Sequence, residues 1–473
     1  MSEPLWTFDE ALAATGGIAP GGAAPDLTSV SIDSRTIESG ALFAAIRGDN
    51  LDGHDYVESA FEAGAGAALV AHDAELEATG TLIRVPDTLE ALNRLGAAAR
   101  ARSRSCVIAV TGSVGKTGTK EALRLAFSRS GTVHASQKSY NNHWGVPLTL
   151  ANFSRDKDFG VFEVGMNHAG EITPLAKLIR PHIAIITTVA PVHLEFFDSV
   201  EQIAEAKAEI FAGLEPGGTA ILNRDIPHFE LLKQRATQAG VERIVSFGAD
   251  DDADVKLMDL RVTGEGSEVE AAIAGKTISY RIGAPGRHLV MNSLGVLAAL
   301  EVAGADVQAG ALALVGYQLP AGRGARTLFT LGEGQVLLID ESYNANPASM
   351  RAALESLNQT PRAQGQRRIA VLGDMLEMGE TSSQLHGTLA QPVDAAGVDV
   401  VFACGPHMVA LYDALPESRR GAYAEHSAGL ETALLETVRA GDVVMIKGSL
   451  GSKMGPLVEA LRAHLMRMGA QAQ

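Results

Sequence analysis

Hydrophobic and polar positions along this chain keep switching between two periods. Short apolar runs bounded by glycine and polar residues give way to stretches with apolar residues three and four apart. That is the pattern of strands feeding helices in an α/β protein. Up to about Arg100 the runs LTSVSIDSR, GALFAAIRG, GAGAALVA and TLIRVPD read as strands, with SAFEAG and TLEALNRLGAAARA as helices between them. The basic, polar stretch Arg100 to Ser105 marks a boundary. Cys106 to Ser128, CVIAVTGSVGKTGTKEALRLAFS, then gives an apolar run, a glycine-punctuated loop from Thr111 to Thr117 and a helical pattern. Further strands are expected from Phe159 to Glu163, from His182 to Val189 and over GGTAILNRD. The polar, β-rich stretch from Asp250 to Tyr280 reads as a hairpin insertion, and Gly283 to Gly304 as a loop and a long buried helix. Gln318 to Arg326, rich in glycine, proline and arginine, reads as a second linker. After it, QVLLIDE, RRIAVLGDM, VDVVFACG and GDVVMIKGS alternate with helices in a Rossmann-like unit.

At 473 residues the chain exceeds what one core can organise. The expected architecture is therefore α/β in three domains. Residues 1–103 form an N-terminal α/β substrate domain, 104–324 a central phosphate-loop ATPase domain with a mostly parallel sheet, and 325–473 a C-terminal Rossmann-like domain.

The loop between strand and helix carries the first candidate chemistry. Gly112 and Gly115 lack a Cβ, so the backbone of Thr111, Gly112, Ser113, Val114 and Gly115 can aim N–H groups at phosphate oxygens, at the positive end of the following helix. Lys116 would reach the β- and γ-phosphates of ATP and Thr117 a Mg2+ ion. The longer phosphate-loop pattern wants a glycine where Val110 stands, so the match is to a shorter form, TGSxGKT. Glu163 ends its strand at the rim where open α/β sheets place ligands, which makes it a Mg2+ ligand candidate. His193 lies at the same rim, where a lone histidine is as readily structural as a ligand. Lys207 sits among Glu201, Glu205 and Glu209 and by spacing alone reads as a solvated lysine. Asn292 interrupts an apolar helix and needs a polar partner, such as a nucleotide base. Arg323 in the linker fits a surface charge or a phosphate or ribose contact; Asp340, Tyr343, Asn344 and Asn346 follow a strand end. Ser34 and Arg35, and Gly48 with His54, sit in polar turns that could be plain turns or a pocket for a phosphate-bearing ligand.

Composition narrows the partners. Thirty-nine basic against 56 acidic residues give a net charge of −17, which argues against non-specific nucleic-acid or anionic-membrane binding. The N-terminus has acidic residues where a signal peptide needs a positive region, and no run reaches the ~18 apolar residues of a membrane span. Cys106 and Cys404, the two cysteines, each lie in an apolar run, as buried thiols of a reducing cytoplasm would.

The segments TGSVGKT, NNHWGVPLTL, FEVGMN, APVHLEFF, EAKAEIF, HLVMNSLGVLAA, DESYNANP and LGDMLEMGE together resemble the Mur ligases over nearly the whole chain. DESYNANP and LGDMLEMGE resemble the branch that adds D-alanyl-D-alanine, and Glu341 stands where the family often has Asp. The resemblance implies ATP-dependent joining of D-Ala-D-Ala to UDP-MurNAc-tripeptide through an acyl phosphate, as peptidoglycan synthesis requires; a cytoplasmic monomer is expected, with the oligomeric state left open by the sequence. Its third peptide residue is left as diaminopimelate or lysine. It implies that Thr117 and Glu163 hold one Mg2+, that His193 holds a second, and that Lys207 is carbamylated beside it. It further assigns Asn292, Arg323, Asp340, Tyr343, Asn344 and Asn346 to the adenine and ribose, and Ser34, Arg35, Gly48 and His54 to the uridine diphosphate. The competing readings are a sibling Mur or folylpolyglutamate synthase-like ligase and, from another class, a phosphate-loop regulatory NTPase. Against the last stands the absence of an N-K-x-D guanine motif, since Asn223-Arg224-Asp225 lacks its lysine and spacing.

Overall fold

The computed structural model describes residues 4–20, 25–48, 51–76, 80–136, 139–192, 194–263, 265–332, 334–362 and 365–471. They build three sheets of four, nine and six strands. The first is all parallel, in the order Val30–Ser31, Leu42–Ala44, Ala67–Ala71, Thr81–Val85. All four strands coincide with the apolar runs of the sequence.

The central sheet runs from the edge strand Val133–Ala135 through Phe159–Glu163, Cys106–Thr111, Ile183–Ile186, Thr219–Asn223 and Arg243–Gly248, all parallel. Both of its faces are covered, as a parallel sheet requires. Along Cys106–Thr111, Val107 and Ala109 enter one core while Ile108 and Val110 enter another. The helix Lys116–Phe127 packs Leu123, Ala126 and Phe127 on the second face. The helix Ile172–Ile179 packs Ile172, Leu175 and Ala176 on the first. Helices leaving neighbouring strands toward opposite faces open a crevice between them, here between Thr111 and Glu163.

The stretch after Asp250 is not a hairpin insertion. Val255–Thr263, Gly266–Ile273 and Lys276–Ile282 form an antiparallel meander whose first strand pairs parallel with Arg243–Gly248, so it extends the central sheet. Its alternating apolar residues Val269, Ala271 and Ile273 pack against the buried helix Arg287–Val302, which explains the polar reading of the exposed face.

The third sheet has the antiparallel pair Ala325–Leu331 and Gly334–Glu341 at one edge, then the parallel strands Val443–Lys447, Arg368–Gly373, Val400–Cys404 and Arg420–Ala424. The last four have Rossmann-like order, with the switch between Arg368–Gly373 and Val443–Lys447. Of the two cysteines, Cys404 is buried in its strand and Cys106 only partly; both are free thiols. No helix among the described residues is long and apolar enough to cross a membrane.

Candidate active site

The phosphate loop is held from behind by the next strand. Ser113 donates its N–H to the Thr188 carbonyl at 2.9 Å and its hydroxyl to the Ala190 carbonyl at 3.1 Å. Thr187 donates its hydroxyl to the Val114 carbonyl at 2.7 Å. The two glycines are needed for space as well as for conformation. A Cβ on Gly112 (φ +150°) would lie 2.0 Å from Thr187 Oγ1, and one on Gly115 (φ +87°) 2.6 Å from Asn292 Nδ2. Lys116 Nζ donates to the Gly112 carbonyl at 2.7 Å. Thr111 and Thr117 are buried behind the loop. Thr117 donates its hydroxyl to Glu163 Oε2 at 2.9 Å, and Asn141 Nδ2 donates to Glu163 Oε1 at 2.7 Å. Glu163, 1% exposed, thus has both oxygens occupied at the crevice.

Lys207 is not the solvated lysine its spacing suggests. Ser199 caps the helix Val200–Ala208 through the Gln202 N–H, and this fixes which face turns inward. That face carries Ile203, Ala204 and Ala206 together with Lys207, which is 1% exposed. Of its acidic neighbours in sequence, Glu205 pairs with Arg235, and Glu209 accepts from Gly170 and Thr173. Lys207 Nζ has no hydrogen-bond or ion-pair partner among the described residues. Burial pushes its pKa well below the ordinary lysine value, and the charge of Lys116 adds to that. The pKa of Lys116 is itself lowered by burial and, less, by Arg323, with Glu163 opposing.

A cleft of about 500 Å³ opens between the central and C-terminal sheets. Ser113 to Lys116, Glu163, Asn292, Arg323, Tyr343, Asn344 and Asn346 all line it. Arg323 stacks its guanidinium over the Tyr343 ring, 4.2 Å from the centroid. Lys447 donates to Glu341 Oε2 at 3.2 Å and to the Asn344 carbonyl at 2.9 Å, so the longer Glu341 arm reaches a buried lysine. Asn344 Oδ1 accepts the Ala345 N–H.

Three of the expected contact residues are also tied into the scaffold. Asp340 is buried and accepts from the Gly322 N–H at 2.8 Å and from the Ser342 N–H and hydroxyl, so its carboxylate clamps the linker. Asn346 caps the helix Pro347–Gln359 in a reciprocal box with Ser349, which occupies its side-chain oxygen. His54 is buried, with Nδ1 2.5 Å from Asp52 and Nε2 accepting the Ala71 N–H at 2.9 Å. Ser34 opens a short 3-10 turn in the N-terminal sheet's rim, where exposed Arg35 pairs with Asp33 at 2.8 Å, and Gly48 donates to the Leu51 carbonyl. These four lie outside the cleft lining. His193 lies outside the described residues.

Three family models match in register with the three sheets: "Mur ligase family, catalytic domain" over residues 26–100, "Mur ligase middle domain" over 110–300 and "Mur ligase, glutamate ligase domain" over 326–450. The UDP-N-acetylmuramoyl-tripeptide--D-alanyl-D-alanine ligase of Rickettsia prowazekii is 34% identical over 430 residues, 91% of this chain and 94% of that one. The chain belongs to the Mur ligase family. The Escherichia coli protein of the same description is 33% identical, covering 94% of this Mur ligase and 95% of its own length. The crystal structure of MurF from Acinetobacter baumannii superposes with a TM-score of 0.83 at 28% identity, covering 98% of this chain and 99% of that one.

Two site residues of this Mur ligase escape a reading of the sequence. Asn141 reads only as part of a loop before Gly145, although the pair Asn141-Asn142 three residues before that glycine is a usable signal. Ser139 carries no local signal, and only the fold brings it to Thr117 and Arg323.

Proposed function

We propose that this Mur ligase joins D-alanyl-D-alanine to UDP-N-acetylmuramoyl-tripeptide with hydrolysis of ATP to ADP and phosphate. The observation that carries the reading is the convergence of a phosphate loop, its lysine Lys116 and the buried carboxylate of Glu163 at one interdomain cleft. Full-length similarity to relatives of that description supports the choice of substrates. Residues 1–103 would hold the uridine diphosphate end, 104–324 the ATP, and 325–473 the far side of the cleft. The protein works as a cytoplasmic monomer in this reading, and its acidic balance disfavours nucleic acid.

The chemistry starts from a carboxylate, whose oxygen is a poor leaving group. An oxygen of the tripeptide carboxylate attacks the γ-phosphorus of ATP, the bond to the β-phosphate oxygen breaks, and ADP leaves. The dipeptide amine then attacks the acyl carbon, phosphate departs with the bonding pair, and the amine sheds a proton. Lys116 and the loop N–H groups hold the transferring phosphoryl group and spread its charge. The cleft walls exclude water that would hydrolyse the acyl phosphate. Across the hinge, Asn292, Tyr343 and Arg323 would line the base and ribose, with Asp340 and Asn346 shaping their loops.

Mg2+ fits this donor set, because it takes one or two oxygen ligands from protein and the rest from phosphates and water. Thr117 and Glu163, hydrogen-bonded to each other beside the phosphate loop, would be those ligands. Bound there, Mg2+ would supply charge neutralisation to the phosphates. No group of three acidic, histidine or cysteine side chains fit to hold a metal occurs among the described residues. A second ion would rely on His193 and on Lys207 converted to a carbamate. Carbamylation suits an amine that is buried, without a hydrogen-bond partner among the described residues and depressed in pKa, since only the neutral amine adds carbon dioxide.

The deciding experiment is ADP and phosphate release from Mg-ATP with UDP-MurNAc-tripeptide and D-Ala-D-Ala, each omitted in turn. Turnover needing both, with a pentapeptide product, is expected. Release that ignores both substrates would overturn the ligase, and a requirement for another amine would make it a sibling enzyme.

A further inference from the structure

Thr117 is tied to the C-terminal module through a residue with no assigned role. Arg323 Nη2 lies 3.2 Å from Ser139 Oγ, and Ser139 Oγ lies 3.2 Å from Thr117 Oγ1. A guanidinium can only donate, so Ser139 accepts from Arg323. Thr117 gives its single proton to Glu163. Its contact with Ser139 therefore has Ser139 donating. The protons run one way, from Arg323 to Ser139 to Thr117 to Glu163. Each hydroxyl has one proton and two lone pairs. Thr117, with its proton on Glu163 and one lone pair on Ser139, is left with one lone pair fixed in direction.

The other end of this chain is anchored in the C-terminal module. The linker N–H of Gly322 is held by Asp340, Tyr343 donates its N–H to the Gly322 carbonyl, and Arg323 lies on the Tyr343 ring. Arg323 thus moves with the strand Gly334–Glu341 and its loop, while Ser139 and Thr117 belong to the central sheet.

We propose that Ser139 is a positioning residue that couples seating of the C-terminal module to the orientation of the Thr117 hydroxyl. With Arg323 in place, Ser139 is oriented to donate, and Thr117 turns its free lone pair to the cation that accompanies ATP. With Arg323 withdrawn, Ser139 is free to rotate and the site loosens. The proposal rests on the reading of Thr117 as a ligand of Mg-ATP.

The test is calorimetric titration of a non-hydrolysable ATP analogue across a Mg2+ series. It uses the full-length wild type, Ser139→Ala, Ser139→Thr, Arg323→Ala and the Ser139→Ala/Arg323→Ala double variant, with thermal melts to establish folding. Loss of one such hydrogen bond predicts that Ser139→Ala weakens binding about 5- to 10-fold at saturating Mg2+. Little loss is expected without Mg2+, and Ser139→Thr keeps the hydroxyl and most of the affinity. The double variant should lose less than the product of the two single losses, because both cut one chain. Wild-type affinity in Ser139→Ala, an equal loss with and without Mg2+, or independent losses in the double variant would overturn the coupling. Binding by the wild type that ignores Mg2+ would instead overturn the reading of Thr117 on which it stands.

Discussion

Two lysines whose charges disfavour each other, Lys116 half-buried at the cleft and Lys207 buried without a hydrogen-bond partner among the described residues, are the side chains most costly to the fold at this site. In the proposed mechanism Lys116 meets phosphate, so Lys116→Ala should lower kcat/KM at least ~10³-fold while the thermal melt stays close to wild type. A variant with normal turnover would remove the phosphate loop from the chemistry. Lys207 permits a sharper test of sign. Its folded-state pKa is lowered, so the unfolded chain binds the proton over a wider range, up to about pH 10.4. The penalty for burying it is largest below the folded pKa and fades as pH rises toward the unfolded value. In carbonate-free buffer, Lys207→Met should therefore melt higher than wild type at pH 7, and the gap should close near pH 10. A gap independent of pH would mean that the amine is not the destabilising group. If the working form is the carbamate, Lys207→Ala should regain part of its turnover with a short carboxylic acid. Intact-protein mass without the added carbon dioxide, measured under bicarbonate, would count against it.

Elements explain which of these facts a sequence can carry. The strand from Cys106, the loop and the helix to Phe127 were readable because glycine spacing and apolar period are local properties. The burial of Lys207 was not. Three glutamates at helical distance suggest pairing, yet in the fold Arg235 takes Glu205 and the loop at Gly170 takes Glu209. For Asp340 and Asn346, position at a strand end was readable, but not the use of the side chain. Asn346 closes a capping box on the helix Pro347–Gln359, and losing such a cap costs ~1 kcal/mol. Asn346→Ala should accordingly speed amide exchange in that helix about 5-fold, while Asn346→Ser, which can cap, should not. The nucleotide KM should follow the cap: near normal in the serine variant and raised a few-fold in alanine. Equal KM defects in both variants would instead put the Asn346 amide in contact with the nucleotide.

At the scale of the molecule, the cores say which parts can move. One hydrophobic cluster runs from Trp6, Leu42 and Leu92 in the N-terminal part to Phe162, Ile186 and Ile203 in the central part, without a break. Polar contacts reinforce it: Trp6 donates its indole N–H to the Ala151 carbonyl at 2.8 Å, Asn152 bonds both backbone groups of Val30, and Arg102 stacks on Trp6. The C-terminal sheet is different, since its two clusters take residues only from Ile339 to Met445 and from Phe329 to Leu465. Among the described residues it is joined to the rest by the linker at residues 318–324 and by polar contacts such as the Glu195 N–H to the Glu377 carbonyl at 3.3 Å. A shared dry core resists hinge motion, while a linker with polar contacts permits it. The N-terminal and central parts should therefore move as one body and the C-terminal part against them. Dye pairs between residues 62 and 233 should keep a constant transfer efficiency when Mg-ATP analogue and acceptor are added, and pairs between 233 and 417 should change. All three positions lie on the exposed surface. In the same preparations, limited proteolysis should cut first near residues 318–324 and slow when both ligands are present. A change confined to the 62–233 pair would reverse the assignment, and would mean that the common core yields more readily than the linker.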